Sequence, residues 1–302
     1  MDTFQLRAFV AVSRERNVGK AAESLRLTPS PVSRIIRELE RHLGGELFTR
    51  SYHDMSLTPF GERLLPMAVD FIARGSAMEE LHTGEPPLLR MGATPWAPNR
   101  LATQVISAVR EVTGADPEVT SDVSSALLNL LRHGDLDFAY VHLPIEFAGI
   151  DSMALAEYQF AVVADRADAL AGETSVSTEQ LADREVIMMP LSMQPGPMSA
   201  LVSHLRNAGV ATLNQVELKD VIGLRARIHR TGEVMLGLSS EDSPLNGLVS
   251  TGELAMIPLK DGPAGFFIGV AWRQNDARLA DQIDAILAAL RPDREGPLPV
   301  LS

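Results

Sequence analysis

Residues 17–43 read NVGKAAESLRLTPSPVSRIIRELERHL, and their spacing predicts two helices joined by a tight turn. Asn17 suits an N-cap, and Ala21, Ala22 and Leu25 place small and apolar groups on one face of a short first helix. Arg26-Leu27 forms the turn. Thr28 is expected to cap a second helix whose first turn tolerates Pro29 and Pro31, because amides there have no intrahelical partner. Val32, Ile35, Ile36, Leu39 and Leu43 then recur at helical spacing and predict one buried stripe.

The opposite face shows Ser30, Ser33, Arg34, Arg37 and Arg41, with Pro31 beside the two serines. A major groove accepts such a helix. Arg34 can form a bidentate pair with a guanine edge, worth about 1–3 kcal/mol of base discrimination, and short serines reach base edges or phosphates. The alternative is an ordinary solvated helix face.

Upstream, Phe4, Phe9, Val10 and Ser13 predict a helix over 3–15 that packs against the other two, widened by Leu6 and Val12. Downstream, Gly44-Gly45 ends the second helix, Leu47-Phe48 begin a strand, and residues 50–57 read as a small hairpin. Taken together, FQLRAFVAVSRERNVGKAAESL, LTPSPVSRIIRELERHLGGELFTR and LTPFGERLL resemble, in order, the N-terminal domain of LysR-type transcriptional regulators. The resemblance implies a winged helix-turn-helix over 1–58 whose DNA contacts come from Ser30, Pro31, Ser33, Arg34 and Arg37, with Arg50 and His53 from the wing. Two departures stand out. Pro29 occupies a position where relatives often carry glutamine, and His53-Asp54 replace wing arginines.

Thr58-Pro59 restarts a helix that runs to about Leu81, and Pro86-Pro87 follow as a hinge. Leu64, Ala68, Phe71, Gly75 and Met78 alternate by four and three, the spacing of a coiled-coil seam, so residues 59–85 are expected to pair two protomers. At about 1.5 Å per residue such a helix spans on the order of 40 Å. Packing on its own C-terminal domain is the alternative.

From residue 88 the pattern changes to alternating strands and helices, which implies parallel sheets covered on both faces. LLRMGA, FAVVAD, EVIMMP, EVMLGL and FFIGVAW read as strands, and SSALLNLLRHG and DARLADQIDAILAALR as helices. LLRHGDLDFAYV resembles the effector-binding part of the same family, a two-lobed fold like that of periplasmic solute-binding proteins. The implied lobes are 88–160 with 267–302, and 161–266. Arg230-Thr231-Gly232-Glu233 departs from the G-x-G turn frequent in relatives.

Ligands of open parallel sheets bind beyond the carboxyl ends of strands, where helix N-termini point free amides. That rule selects Thr94, Pro95 and Trp96, then Ser124 and Ser125, then His142, and finally Met193, Gln194 and the following residues to Met198. Hydroxyls and amides suit a carboxylate, and Trp96, Met193 and Met198 suit an apolar body, so a small organic acid is the expected effector. Thr94 and Ser124 as plain caps, and Trp96 as packing, remain alternatives.

Composition narrows the function further. Net charge is −12. Residues 1–65 hold ten Lys and Arg against eight Asp and Glu, and the remainder holds 17 against 31, so a weakly basic end joins an acidic body. No cysteine is present, which excludes a thiol redox switch, a thiolate zinc site and a cysteine nucleophile. Seven histidines are scattered without an i,i+4 pair, and no G-x-S-x-G, P-loop or G-x-G-x-x-G occurs. The expectation is an α/β regulator with no cofactor, metal or catalytic set, cytoplasmic, binding two-fold symmetric half-sites of double-stranded DNA as a homodimer or homotetramer. An enzyme built on the two-lobed domain, or a ligandless DNA-organising protein, are the rival readings.

Overall fold

The computed structural model describes residues 2–50, 55–80, 89–95, 97–145, 147–191, 195–216, 221–239, 249, 252–262, 266–274, 276, 279–291 and 300–301. Helix α1 (Thr3–Glu15) starts at a reciprocal cap: Asp2 Oδ1 accepts from the Gln5 amide at 2.8 Å, and Gln5 Oε1 accepts from the Asp2 amide at 3.1 Å. Leu6, Ala8, Phe9, Ala11 and Val12 are buried against the next two helices. Phe4, expected to pack inward, is instead 45% exposed, because burial begins only at Leu6 and the first turn lies outside the packed region.

Helix α2 (Val18–Ser24) is capped by Asn17, whose side-chain oxygen accepts from the amides of Gly19 and Lys20. Arg26 makes the turn in the left-handed region, φ 57°. Helix α3 (Pro29–Leu43) follows and ends at Gly44, φ 75°, whose amide bonds Glu40 O at 2.9 Å. Thr28 holds the N-cap position as expected, with extended backbone, but its side chain makes no capping hydrogen bond. One of the two amides an N-cap side chain usually bonds belongs here to Pro31, which has no N–H.

Strands β1 (Phe48–Arg50) and β2 (Met55–Leu57) pair antiparallel as the wing base, and Phe48 packs 5.5 Å from Phe9 between ring centres. Thr58 Oγ1 accepts from the Gly61 amide at 3.0 Å and donates to Glu46 O at 2.7 Å, which starts α4 (Pro59–Glu80) against the wing.

The remaining elements are β3 (Arg90–Ala93), α5 (Asn99–Thr113), β4 (Glu118–Ser121), α6 (Ser124–His133), β5 (Phe138–Leu143), β6 (Ile150–Asp165), β7 (Glu185–Met188), α7 (Pro195–Asn207), β8 (Thr212–Gln215), α8 (Val221–Thr231), β9 (Val234–Ser239), β10 (Leu254–Pro258), β11 (Phe267–Arg273), α9 (Ala280–Leu290) and β12 (Val300–Leu301). Their strand order is β4-β3-β5-β11-β6-β9-β7-β8, with β10 and β12 also on β6. The sheets are mixed rather than purely parallel. β4, β3 and β5 run parallel, as do β8, β7 and β9, but β11 is antiparallel to both β5 and β6, and β6 is antiparallel to β9 and β10.

The 16-residue β6 explains the difference, because it belongs to both halves of the sheet: residues 150–157 pair with β11, and residues 159–165 with β9 and β10. One face of β5 (Phe138, Tyr140) shares a core with Val105 and Val109 of α5 and Ile283 and Ile286 of α9. The other face (Ala139, Val141, Leu143) packs on Leu127, Leu128 and Leu131 of α6. Gly92 lets α6 lie close, since a Cβ there would meet Leu127 and Leu136 side-chain carbons at 2.8 Å.

The Arg230–Glu233 turn closes differently from a double-glycine turn. Gly232 takes φ 70°, and Glu233 accepts from Arg227, from Asn214 Nδ2 at 2.7 Å and from Thr231 Oγ1 at 2.9 Å. The Arg227 guanidinium holds the Glu233 carboxyl down at about 2.

Candidate functional site

The reading face of α3 is built by its own amphipathicity. Val32, Ile36 and Leu39 are almost fully buried, and Ile35 and Leu43 are packed at their edge. Seating that stripe turns the polar side outward. The Arg34 side chain is 74% exposed, 3.8 Å from Glu38 one turn on. Such an exposed pair is worth less than about 1 kcal/mol, so Arg34 is free to exchange Glu38 for a nucleic-acid acceptor. Arg37 is exposed and donates to Ser33 O at 3.2 Å. Ser30 is exposed, whereas Pro31 and Ser33 are half-buried. Arg50 holds the last β1 position, opposite Met55. Its side chain and all of His53 lie outside the described residues.

The residues selected as ligand contacts gather where β3 and β5 end. Thr94 is buried, with its amide on Tyr140 O at 3.0 Å. Ser124, the first residue of α6, accepts from the His142 amide at 3.0 Å and so pins the helix start to the end of β5. It is not a cap: the N-cap is Val123, which has no hydrogen-bonding side chain. His142 is 3% exposed, and its ring centre lies 5.6 Å from that of Tyr158 on β6.

Among the described residues, Thr94 Oγ1, both ring nitrogens of His142 and the Tyr158 hydroxyl are buried without a hydrogen-bond partner. Burial without an acidic neighbour pushes the His142 imidazole down to about 4 and raises the Tyr158 phenol. His142 is therefore uncharged at neutral pH, offering one donor and one acceptor. Tyr140 differs, because its hydroxyl donates to Pro98 O at 3.2 Å. Trp96, Met193 and Gln194 lie outside the described residues, and Met198 is buried on α7. No group of three His, Asp or Glu side chains suited to a metal ion occurs among the described residues.

The bacterial regulatory helix-turn-helix model of the lysR family matches residues 4–62, and the LysR substrate binding domain model matches residues 82–293. The chain belongs to the LysR family of transcriptional regulators. This LysR-type protein is 33% identical over 189 residues to a probable hydrogen peroxide-inducible genes activator of Mycobacterium avium, a match spanning 61% of each chain. It is 25% identical over 289 residues to the HTH-type transcriptional regulator BudR of Raoultella terrigena, covering 91% of this chain and 95% of BudR. A full-length OxyR variant from Pseudomonas aeruginosa, carrying a cysteine-to-aspartate change, shares the fold, with TM-score 0.62 and 22% identity over 98% of this chain and 99% of that one. LysR-type proteins are DNA-binding regulators with an effector-binding domain, not enzymes. No helix among the described residues is long and apolar enough to cross a membrane.

In this LysR-type chain the apolar seam expected on α4 is redistributed. Ala68 is buried in the protomer's own winged domain, and Leu64 packs against that same core. Pro66, inside the helix, and the buried neighbours Leu65 and Val69 show why: the first half of α4 is committed to intrachain packing. Of the expected seam, Phe71 (50%) and Met78 (70%) are exposed, with Gly75 half-buried between them, and Met67 (68%), outside the seam, adds to that apolar surface. Sequence reasoning missed Tyr158, whose strand position gives no hint of the histidine beside it. It also placed Ser13 among core contacts, although the Ser13 hydroxyl lies 3.2 Å from His133 Nε2, 120 residues away.

Proposed function

We propose that this LysR-type regulator reads duplex DNA with Ser30, Pro31, Ser33, Arg34 and Arg37 of α3, aided by Arg50 and His53 of the wing. The carrying observation is the seating of α3 by Val32, Ile36 and Leu39, which leaves Arg34 74% exposed. The functional divisions follow the chain: a reading head over 1–58, a pairing helix over 59–85, and an effector domain over 88–302 with lobes 88–160 plus 267–302 and 161–266. Protomers associate through α4 as a homodimer or homotetramer in the cytoplasm, and present two heads to two-fold symmetric half-sites.

Support for a small effector comes from the unpartnered Thr94, His142 and Tyr158 groups, with Ser124 at the same strand ends; Trp96, Met193 and Gln194 enter the proposed contact set from the sequence alone. A small organic acid with an apolar portion suits that set. Its polar head would be met by hydroxyls and amides, since His142 is uncharged. A peroxide response like the one in the Mycobacterium avium relative's name could not run through a thiol here, because the chain has no cysteine.

Arg34→Ala tests the reading. Duplexes retained from a random-sequence pool by the wild-type chain should lose about 1–3 kcal/mol of preference over scrambled duplexes, while affinity for scrambled DNA stays near wild type. Undiminished preference in the variant would remove α3 from the interface.

A further inference from the structure

The reading head is docked on its own effector domain. Arg14, in the last turn of α1, donates through Nη1 to both Asp135 oxygens at 3.0 and 3.2 Å. Ser13 Oγ lies 3.2 Å from His133 Nε2, and Glu62 of α4 pairs with Arg132. Apolar fit accompanies these pairs. A Cβ on Gly134 would meet Val69 Cγ1 at 2.7 Å, and one on Gly149 would meet Pro66 at 3.4 Å.

Both sides of this contact are held stiffly. His133 Nδ1 lies 2.7 Å from Asn129 O, so the hydrogen belongs on Nδ1 and the bare Nε2 accepts from the Ser13 hydroxyl. Arg273 donates to Leu131 O and Leu136 O beneath the same turn, and Asp137 accepts from the Arg90 amide and guanidinium at 2.9–3.1 Å. On the head side the Met55 amide bonds Arg16 O at 3.0 Å, which ties the end of α1 to the wing.

The opposite end of the ten-residue α6 is Ser124, bonded to the His142 amide among the unpartnered polar groups. A rigid rod on the order of 15 Å thus joins the ligand-site candidates to the docking turn.

We propose that Arg14, Ser13 and Glu62, bound to Asp135, His133 and Arg132, form an intrachain clamp that sets the angle of the reading head on the first lobe and so the spacing at which paired heads meet DNA. The proposal rests on α3 being the DNA-reading helix. Partly exposed ion pairs are individually weak, which makes the clamp releasable by a modest shift at the far end of α6.

A double-mutant cycle on the full chain tests it, with Arg14→Ala, Asp135→Ala and the double variant. The probe is the duplex pool that the wild type retains. Each single change should alter the protected length or cleavage pattern on the full duplex, while affinity for a duplex carrying one half-site stays within about twofold. The double variant should reproduce the single-variant pattern rather than add to it. Unaltered patterns in both single variants, additive changes in the double, or a half-site affinity that falls with the pattern would overturn the clamp. A wild-type chain that retains no duplex would refute the DNA-binding reading itself, whereas a normal Arg34→Ala result with an inert cycle would refute the clamp alone.

Discussion

Replacing His142 by Gln removes a base that the fold keeps uncharged, and the consequence can be calculated. A histidine in the unfolded chain titrates near 6.5, whereas burial at the end of β5 takes the folded-state value to about 4. A base with a depressed folded value favours the folded state fully only above pH 6.5. As pH falls, the unfolded chain takes up its proton first and the folded form is progressively disfavoured. With 1.36 kcal/mol per pH unit, the wild type loses about 2 kcal/mol by pH 5 and about 3 kcal/mol by pH 4 through this group alone. Urea unfolding of wild type and His142→Gln at pH 8, 6, 5 and 4.5 isolates that contribution, because His133, depressed by burial, and His229, raised by Asp165, titrate in both proteins and cancel. The wild-type advantage should shrink with falling pH by those amounts. Parallel curves for the two proteins would mean that His142 is neither sealed from water nor destabilised by protonation, and the unpartnered site would go with it.

Two further outcomes follow from the packing. Phe71→Glu with Met78→Glu places charges on the exposed side of α4, and sedimentation should show self-association weakened about tenfold or more while the thermal midpoint stays near wild type. Unchanged association would move pairing off α4. Gly61→Ala sets a Cβ 2.3 Å from Leu47 O and 2.9 Å from Leu57 Cδ2, so unfolding should become easier by about 1–3 kcal/mol, read by urea titration; a wild-type curve would contradict the seating of α4 on the wing.

Short-range chemistry made the reading head legible. Asn17 before Ala21-Ala22, Gly44 after Leu43 and Thr58 before Pro59 each announce an element boundary by a local hydrogen bond or a permitted dihedral, and all three act as boundaries in the fold. Where two local signals collide, the reading fails. Thr28 looks like a cap until Pro31 removes one of the amides it would serve. Strand β4 was invisible for another reason: Glu118, Val119, Thr120 and Ser121 are all exposed, so no alternation of apolar and polar residues marks the edge of the sheet. The mixed sheet was equally hidden. FAVVAD shows only the second half of β6, and the mixed first half IDSMALAEYQ pairs with β11 through backbone groups that every sequence shares.

The functional site was legible to the same depth and no further. Periodicity suffices for α3, because what seats it lies within the same domain. Ala68 shows the limit of that method. A four-three spacing marks a face of α4 but cannot say which neighbour covers it, and the first half of that face is taken by the protomer's own head while Met67, Phe71 and Met78 stay open. Ser13 and His133 make the same point across 120 residues. Each reads as ordinary in its own helix, and the pairing is helped by Gly134, where a Cβ would meet Val69 Cγ1 of α4 at 2.7 Å, so that the turn after α6 lies close enough to the head for Arg14 to reach Asp135. A regulator whose head is held by such contacts needs no long conformational path between ligand and DNA. One helix with its first residue at the ligand-site candidates and its last against the head is sufficient, and the distribution of charge agrees: on the face of α3 Arg34 has only a loose 3.8 Å pair with Glu38, whereas Arg14 is held by Asp135 at 3.0 Å.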